Sequence, residues 1–171
     1  MKTDIVKIEA NDSSEKYSYA VSLIRDGQVV GMPTETVYGL AASAYSEIAV
    51  KRVFEAKGRP QDNPLIVHIS EFSELYDLVS EVTDSAKALA DAFWPGPLTM
   101  ILPKSDKVPY IVTAGLDTVA VRCPSHPVAN RFIKECWVNL NVFSITYCYK
   151  LIHQALRNIF NCITSNCHCK K

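Results

Sequence analysis

Four short stretches hold the side chains whose types and spacing suit chemistry. Lys57-Gly58-Arg59-Pro60 places two cations around a glycine. A polyphosphate is held by several cations at close range, with Arg adding a planar fork for two oxygens. Glycine between them lets the backbone approach such a ligand. The same group also reads as a solvated helix end whose cations complement the helix dipole. Thr34-Glu35-Thr36 follows an apolar run and Pro33. Hydroxyls beyond a strand end can orient a small polar substrate in an open α/β sheet, and the alternative is a plain polar turn. His68 sits inside the apolar run 65–69, either as a hydrogen-bonded core residue or as a catalytic group. Arg122 ends another apolar run, suited to a ligand carboxylate or to a structural acid. Neither GxxxxGK[ST] nor GxGxxG occurs, which excludes the commonest phosphate loops.

The elements that must position these groups follow from periodicity and punctuation. Residues 5–8 alternate weakly as an edge strand. Asp12-Ser13-Ser14 caps a helix through Arg25, with Tyr17, Ala20, Val21 and Ile24 on one face. Residues 28–32 predict a fully buried strand and 38–44 another. Ser46 caps a helix over 47–56 with Ile48, Val53 and Phe54 inward, stopped by Gly58 and Pro60. Residues 65–69 form the next strand. Ser70 opens a helix carrying Phe72, Leu75, Leu78 and Val79, and Asp84 or Ser85 caps one with Ala88, Leu89, Ala92 and Phe93 on its apolar side. Trp94-Pro95-Gly96-Pro97 is a rigid turn into a strand over 98–102. Residues 118–122 form a strand, and Ser125 caps a helix through about Lys134. Helices interleaved with short apolar strands indicate an α/β domain.

The 171 residues suit one domain, about half of them apolar, with no run long enough to cross a bilayer. A soluble intracellular protein is the expectation. Zero net charge hides an asymmetry: residues 1–135 carry −4, and 136–171 carry +4 with no acid. All glycines and prolines precede residue 128, whereas five of six cysteines follow residue 135. The chain reads as two compositions joined near Glu135. Cys162, Cys167, His168 and Cys169 lack the paired spacing of a zinc site, which favours sporadic cysteines. Residues 142–149 suit a strand and 151–160 a helix.

Four motifs now stand together: PTETVYGL (33–40), KGRPQDNPLIVHI (57–69), FWPGPLTMIL (93–102) and TVAVRCPSHP (118–127). In this order and spacing they resemble the YrdC-like threonylcarbamoyl-AMP synthases, over residues 29–135. The resemblance implies an open, twisted mixed sheet flanked by helices around a concave, positively lined cavity. It implies that L-threonine, bicarbonate and ATP give threonylcarbamoyl-adenylate and pyrophosphate, with Mg²⁺ accompanying ATP. Carried over by motif, Thr36, His68 and Arg122 would bind L-threonine. Lys57, Arg59, Asn63 and Thr118 would bind ATP, with Lys57 and Arg59 the catalytic cations that neutralise charge as pyrophosphate leaves. No metal ligand is assigned to a protein side chain.

The implied setting is the cytoplasm, with no membrane. The implied partners are tRNA or double-stranded RNA and the proteins that transfer the threonylcarbamoyl group to tRNA position 37. The family's Ser-Ala-Asn-x-Ser-Gly element has no counterpart after Glu135. Residues 1–135 are therefore expected to form a truncated YrdC-like domain, and 136–171 an atypical tail of frame-change, intron or alternative-exon origin. That would leave the sheet incomplete and turnover impaired. Two alternatives are a non-catalytic RNA- or protein-binding variant, and a carbamoyl-transfer domain of the hydrogenase-maturation type. The acidic balance of 1–135 counts against strong RNA binding, and the chain's length counts against the second.

Overall fold

The computed structural model describes residues 4–35, 38–58, 62–140 and 143–147. Helix α1 (Ser14–Arg25) is followed by strands β1 (Val30–Met32) and β2 (Gly39–Ser43), then by helix α2 (Glu47–Lys57) and β3 (Ile66–His68). A 3-10 turn, Phe72–Glu74, leads into the short helix α3 (Leu75–Leu78) and then α4 (Asp84–Phe93). Strands β4 (Thr99–Pro103) and β5 (Thr118–Arg122), helix α5 (Pro127–Leu140) and β6 (Phe143–Tyr147) complete the order. The six strands form one mixed sheet in the order β1-β2-β6-β3-β5-β4, with β3 and β5 parallel and every other neighbouring pair antiparallel.

Strand alternation divides the sheet into two faces. Leu40, Ala42, Val67, Val119, Val121 and Met100 point one way and are buried beneath α2, α3 and α4. Burying each of the larger aliphatic side chains contributes about 1.5–3 kcal/mol. On the opposite face, Met32 and Ala41 lie under α1 and α5. Farther along that face Ile66, Ala120 and Thr118 are only half-buried, and Ile101 on the edge strand is 70% exposed. The β3-β5-β4 half of this face is thus the part that the helices among the described residues leave open.

Local chemistry explains several boundaries. Ser46 caps α2 by accepting from the Ala49 N–H at 3.3 Å, and Gly58 ends it in the left-handed conformation (φ 59°), which an L side chain adopts at a cost. Thr83, rather than Asp84 or Ser85, caps α4 through the Ala86 N–H. Pro103 is tolerated as the last residue of the edge strand β4, where its carbonyl still accepts from the Ser80 N–H at 3.0 Å.

The structure corrects several expectations. Residues 5–8 form no strand; Ile5 and Val6 are exposed, and Ile8 alone anchors the segment on the α1–α5 cluster. Strand β1 is an edge strand with Gly31 exposed, not a buried strand between helices. Ile48 is exposed, because Ala49, Val50, Val53 and Phe54 supply the buried stripe of α2. Ala86 and Ala90 face the core from α4, leaving Leu89 and Phe93 outward. Both stripes of α4 satisfy helical spacing, and the alanine stripe lets the helix approach the sheet more closely. The helix expected after Ser70 is a 3-10 turn first, held by the Glu74 carboxylate, which accepts from the Ser70 N–H and O–H at 2.6 Å each. The helix expected to stop near Lys134 continues to Leu140.

Candidate functional site

One rung of the sheet carries the polar residues. Ser43, Phe143, His68, Arg122 and Thr99 are Cα partners in successive strands β2, β6, β3, β5 and β4. His68 and Arg122 are therefore direct neighbours at the C-terminal ends of two parallel strands, on the partly open face. Both are buried, at 2% and 5% exposure.

Hydrogen bonds fix the state of each. The His68 Nδ1–H donates to the Ile66 carbonyl at 3.1 Å, which leaves Nε2 with its lone pair as an acceptor. Burial holds the His68 pKa down to about 4, with the Arg122 charge adding to the effect and the Ile66 hydrogen bond opposing it. The imidazole is neutral at pH 7. Arg122 donates from Nε to the Gly96 carbonyl at 3.3 Å and from Nη2 to Glu35 Oε2 at 2.5 Å. Glu35 Oε1 accepts from the Ser125 N–H at 2.7 Å and from its hydroxyl at 3.1 Å. Burial alone would raise the Glu35 pKa, but hydrogen bonds from its own backbone and from Ser125, together with the Arg122 charge, hold it below the usual value. The carboxylate is ionised.

Nearby thiol chemistry is silent. Burial pushes the Cys123 thiol up to about 12, with Glu74 and Glu35 adding to it, so the group stays protonated and un-nucleophilic.

The other sequence-identified residues fall elsewhere. Thr118 opens β5 on the same face as Arg122, four residues and so about 13 Å away along the strand. Exposed Asn63 precedes β3 at that same strand end. Strands β2 and β3 run in the same direction, both antiparallel to β6, so the chain returns by way of α2, which ends at Lys57, to the start of β3. The structure thus pairs His68 with Arg122 at one strand end and places Asn63 and Thr118 at the other. Thr36 and Arg59 lie outside the described residues, as do Cys162, Cys167, His168, Cys169 and the helix expected over 151–160.

Glu35 and Ser125 were not singled out from sequence as partners of Arg122. Glu35 is 87 residues from Arg122 in the chain, and its signal was only that of an acid inside a hydroxyl-rich turn. Ser125, expected to cap α5, holds Glu35 instead, while His126 Nδ1 accepts from the Ala129 N–H at 3.4 Å. Gly96 contributes through backbone: its carbonyl anchors Arg122, and its N–H donates to the Cys123 carbonyl at 2.7 Å. Beyond these strand ends lies a depression of about 730 Å³ lined in part by Ser70, Pro95, Ser125, Asn130 and Lys134. Among the described residues no group of three or more His, Cys, Asp or Glu is placed to hold a metal ion.

The Sua5/YciO/YrdC family model, described as "Telomere recombination", matches residues 22–162. The chain belongs to this family. The matched span continues beyond Glu135. Threonylcarbamoyl-AMP synthase of Pyrococcus abyssi is 53% identical over 132 residues, covering 77% of this chain and 39% of the relative. Its Bacillus subtilis namesake is 52% identical over 128 residues, covering 74% of this chain and 37% of the relative. The chain therefore spans about two fifths of the length of these Sua5/YciO/YrdC relatives. A crystal structure of P. abyssi Sua5 complexed with L-threonine superposes with a TM-score of 0.74 at 50% identity, covering 82% of this chain and 39% of that one. The mixed α/β sheet flanked by helices is the family's fold.

Proposed function

We propose that the chain carries the threonylcarbamoyl-AMP synthase reaction. L-Threonine, bicarbonate and ATP give threonylcarbamoyl-adenylate, pyrophosphate and water. The observation that carries the reading is the buried Arg122 beside a neutral His68, on the open face of a chain about half identical to synthases of that name. A relative's solved complex with L-threonine supports the amino acid as substrate.

Arg122 supplies the positive charge that draws the α-carboxylate. His68 Nε2 accepts from the ammonium or hydroxyl, and Thr36 adds a second neutral acceptor. The threonine nitrogen, once deprotonated, attacks the bicarbonate carbon, and water is lost to give a carbamate. The carbamate oxygen attacks the α-phosphorus, and the bond to the bridging oxygen of pyrophosphate breaks. No covalent enzyme intermediate is needed, so positioning supplies much of the acceleration. Asn63, Thr118, Lys57 and Arg59 bind ATP, with the two cations countering charge on the departing pyrophosphate. Mg²⁺ arrives on the triphosphate, where the ion characteristically keeps water and phosphate ligands.

The product would serve tRNA modification at position 37, through partner proteins that transfer the threonylcarbamoyl group in the cytoplasm. Among the described residues no helix is long and apolar enough to cross a membrane. Residues 136–171 are proposed as the atypical part of the chain, which lowers turnover.

The test is pyrophosphate release from ATP by the full chain. Release that requires both L-threonine and bicarbonate is expected. Salt-sensitive RNA binding with no nucleotide turnover would replace the reading with a non-catalytic binding role.

A further inference from the structure

Glu35 is the one acid seated against the buried Arg122 among the contacts described above, and its role extends beyond closing an ion pair. A buried guanidinium facing a ligand attracts any carboxylate. Glu35 cancels that charge locally: Arg122 is positive, Glu35 negative, and His68 neutral. Beside that neutralised pair a plain anion is held less strongly than by a bare guanidinium, while a zwitterion finds an opposite charge for each of its own.

Two roles are open to such a carboxylate, a displaceable latch or a fixed counter-charge. The hydrogen bonds decide between them. Glu35 receives Arg122 Nη2, the Ser125 N–H and the Ser125 hydroxyl. Displacing it would break this whole set, several members of which are charge-assisted. A guanidinium has five donors and can serve two carboxylates together. Glu35 therefore stays when a ligand carboxylate arrives.

We propose that Glu35 is a fixed counter-charge that makes the Arg122 site selective for zwitterionic α-amino acids over carboxylates lacking the amino group. The inference rests on the reading that this site takes L-threonine. Because Glu35 is already held by Arg122 and by both donors of Ser125, it acts on the ammonium chiefly through its field. At about 6 Å and an effective dielectric near 20, that field is ample for a tenfold preference.

The test is calorimetric titration of the full chain and its Glu35→Gln variant with L-threonine and with 3-hydroxybutyrate, the same molecule without its amino group. Wild type is expected to prefer L-threonine, and Glu35→Gln to reduce that preference about tenfold while 3-hydroxybutyrate binds more tightly. Loss of both affinities in equal proportion, or no change in either, overturns the proposal, since a merely structural role would not move the ratio. Ser125→Ala removes donors to Glu35 but keeps its charge, and should leave the preference in place. Wild type supplies a reading that needs no variant: equal affinity for the two ligands also overturns the counter-charge. Absence of L-threonine binding by wild type is a different result and sinks the threonine reading itself.

Discussion

His68 makes the folded chain sensitive to acid in a range where most carboxylates are still ionised. The residue is 2% exposed and its Nδ1–H is committed to the Ile66 carbonyl. Burial first, and the Arg122 charge second, hold its pKa at about 4, against 6.5 in the unfolded chain. Between those values the unfolded state takes up a proton that the folded state refuses. Stability present above pH 6.5 is therefore lost as pH falls towards 4. A gap of about two and a half pH units, at about 1.4 kcal/mol each, amounts to about 3 kcal/mol. That is a large share of the 5–15 kcal/mol by which domains are typically stable, on the order of a third. The assay is urea denaturation of wild type and His68→Asn at pH 7.5, 5.5 and 4.5. Asn can place its amide nitrogen near the Nδ1 position but does not titrate. Other groups, Glu35 and Glu74 included, titrate in both proteins and cancel in the difference. Wild type should lose about 2.5 kcal/mol more than the variant between pH 7.5 and 4.5, the remainder lying below pH 4.5. Curves that stay parallel within about 0.5 kcal/mol would mean that His68 is not a buried neutral base.

Three further outcomes follow from single contacts. Glu35→Ala strands Arg122, whose side chain is 6% exposed; because Glu35 itself is 21% exposed, water softens the loss to about 2 kcal/mol in chemical denaturation. The Glu35 contribution is present above the ordinary carboxylate pKa and should disappear as pH falls through its lowered folded value. Gly96→Ala would put a Cβ 2.3 Å from the Phe93 carbonyl oxygen, a backbone atom with little room to move, and should cost about 2 kcal/mol or more in thermal or chemical unfolding. Arg59→Ala should weaken ATP binding about tenfold or more in a calorimetric titration, and an unchanged affinity would remove the role assigned to Arg59.

The fold was readable where a short motif fixes its own geometry. Ser46 and Gly58 bracket α2 because a cap and a left-handed stop are local chemistry. The run ending in His68 and the run ending in Arg122 are strands, each with its polar residue at the last position. What stayed hidden depends on partners distant in sequence. No local feature says that His68 and Arg122 share a rung, because register is a property of two strands. Nor does one say that Glu35 crosses 87 residues to meet Arg122. In the turn at residues 34–36 the hydroxyls suggest a ligand, and nothing local marks its acid as the partner of an arginine. On α4 two stripes have equal periodicity, and only the sheet beneath decides that Ala86 and Ala90 are the inner ones.

The change of composition near Glu135 and the architecture do not divide the chain at the same place. Helix α5 runs through that point to Leu140, and β6 follows between β2 and β3, pairing with both. Those two ladders are the described strand-to-strand connection between the β1-β2 pair and the β3-β5-β4 group that carries His68, Thr118 and Arg122. Without β6 the neighbouring edges of β2 and β3 would each present unpaired backbone groups. The rung through Ser43, His68, Arg122 and Thr99 would also lose the strand that sets Ser43 in line with the rest. Backbone pairing asks little of the side chains, because every residue except proline brings both a donor and an acceptor to a ladder. Residues 136–171 contain no proline. Order in the sheet and chemistry in the site are thus separable demands on this part of the chain, and the pairing of β6 answers the first.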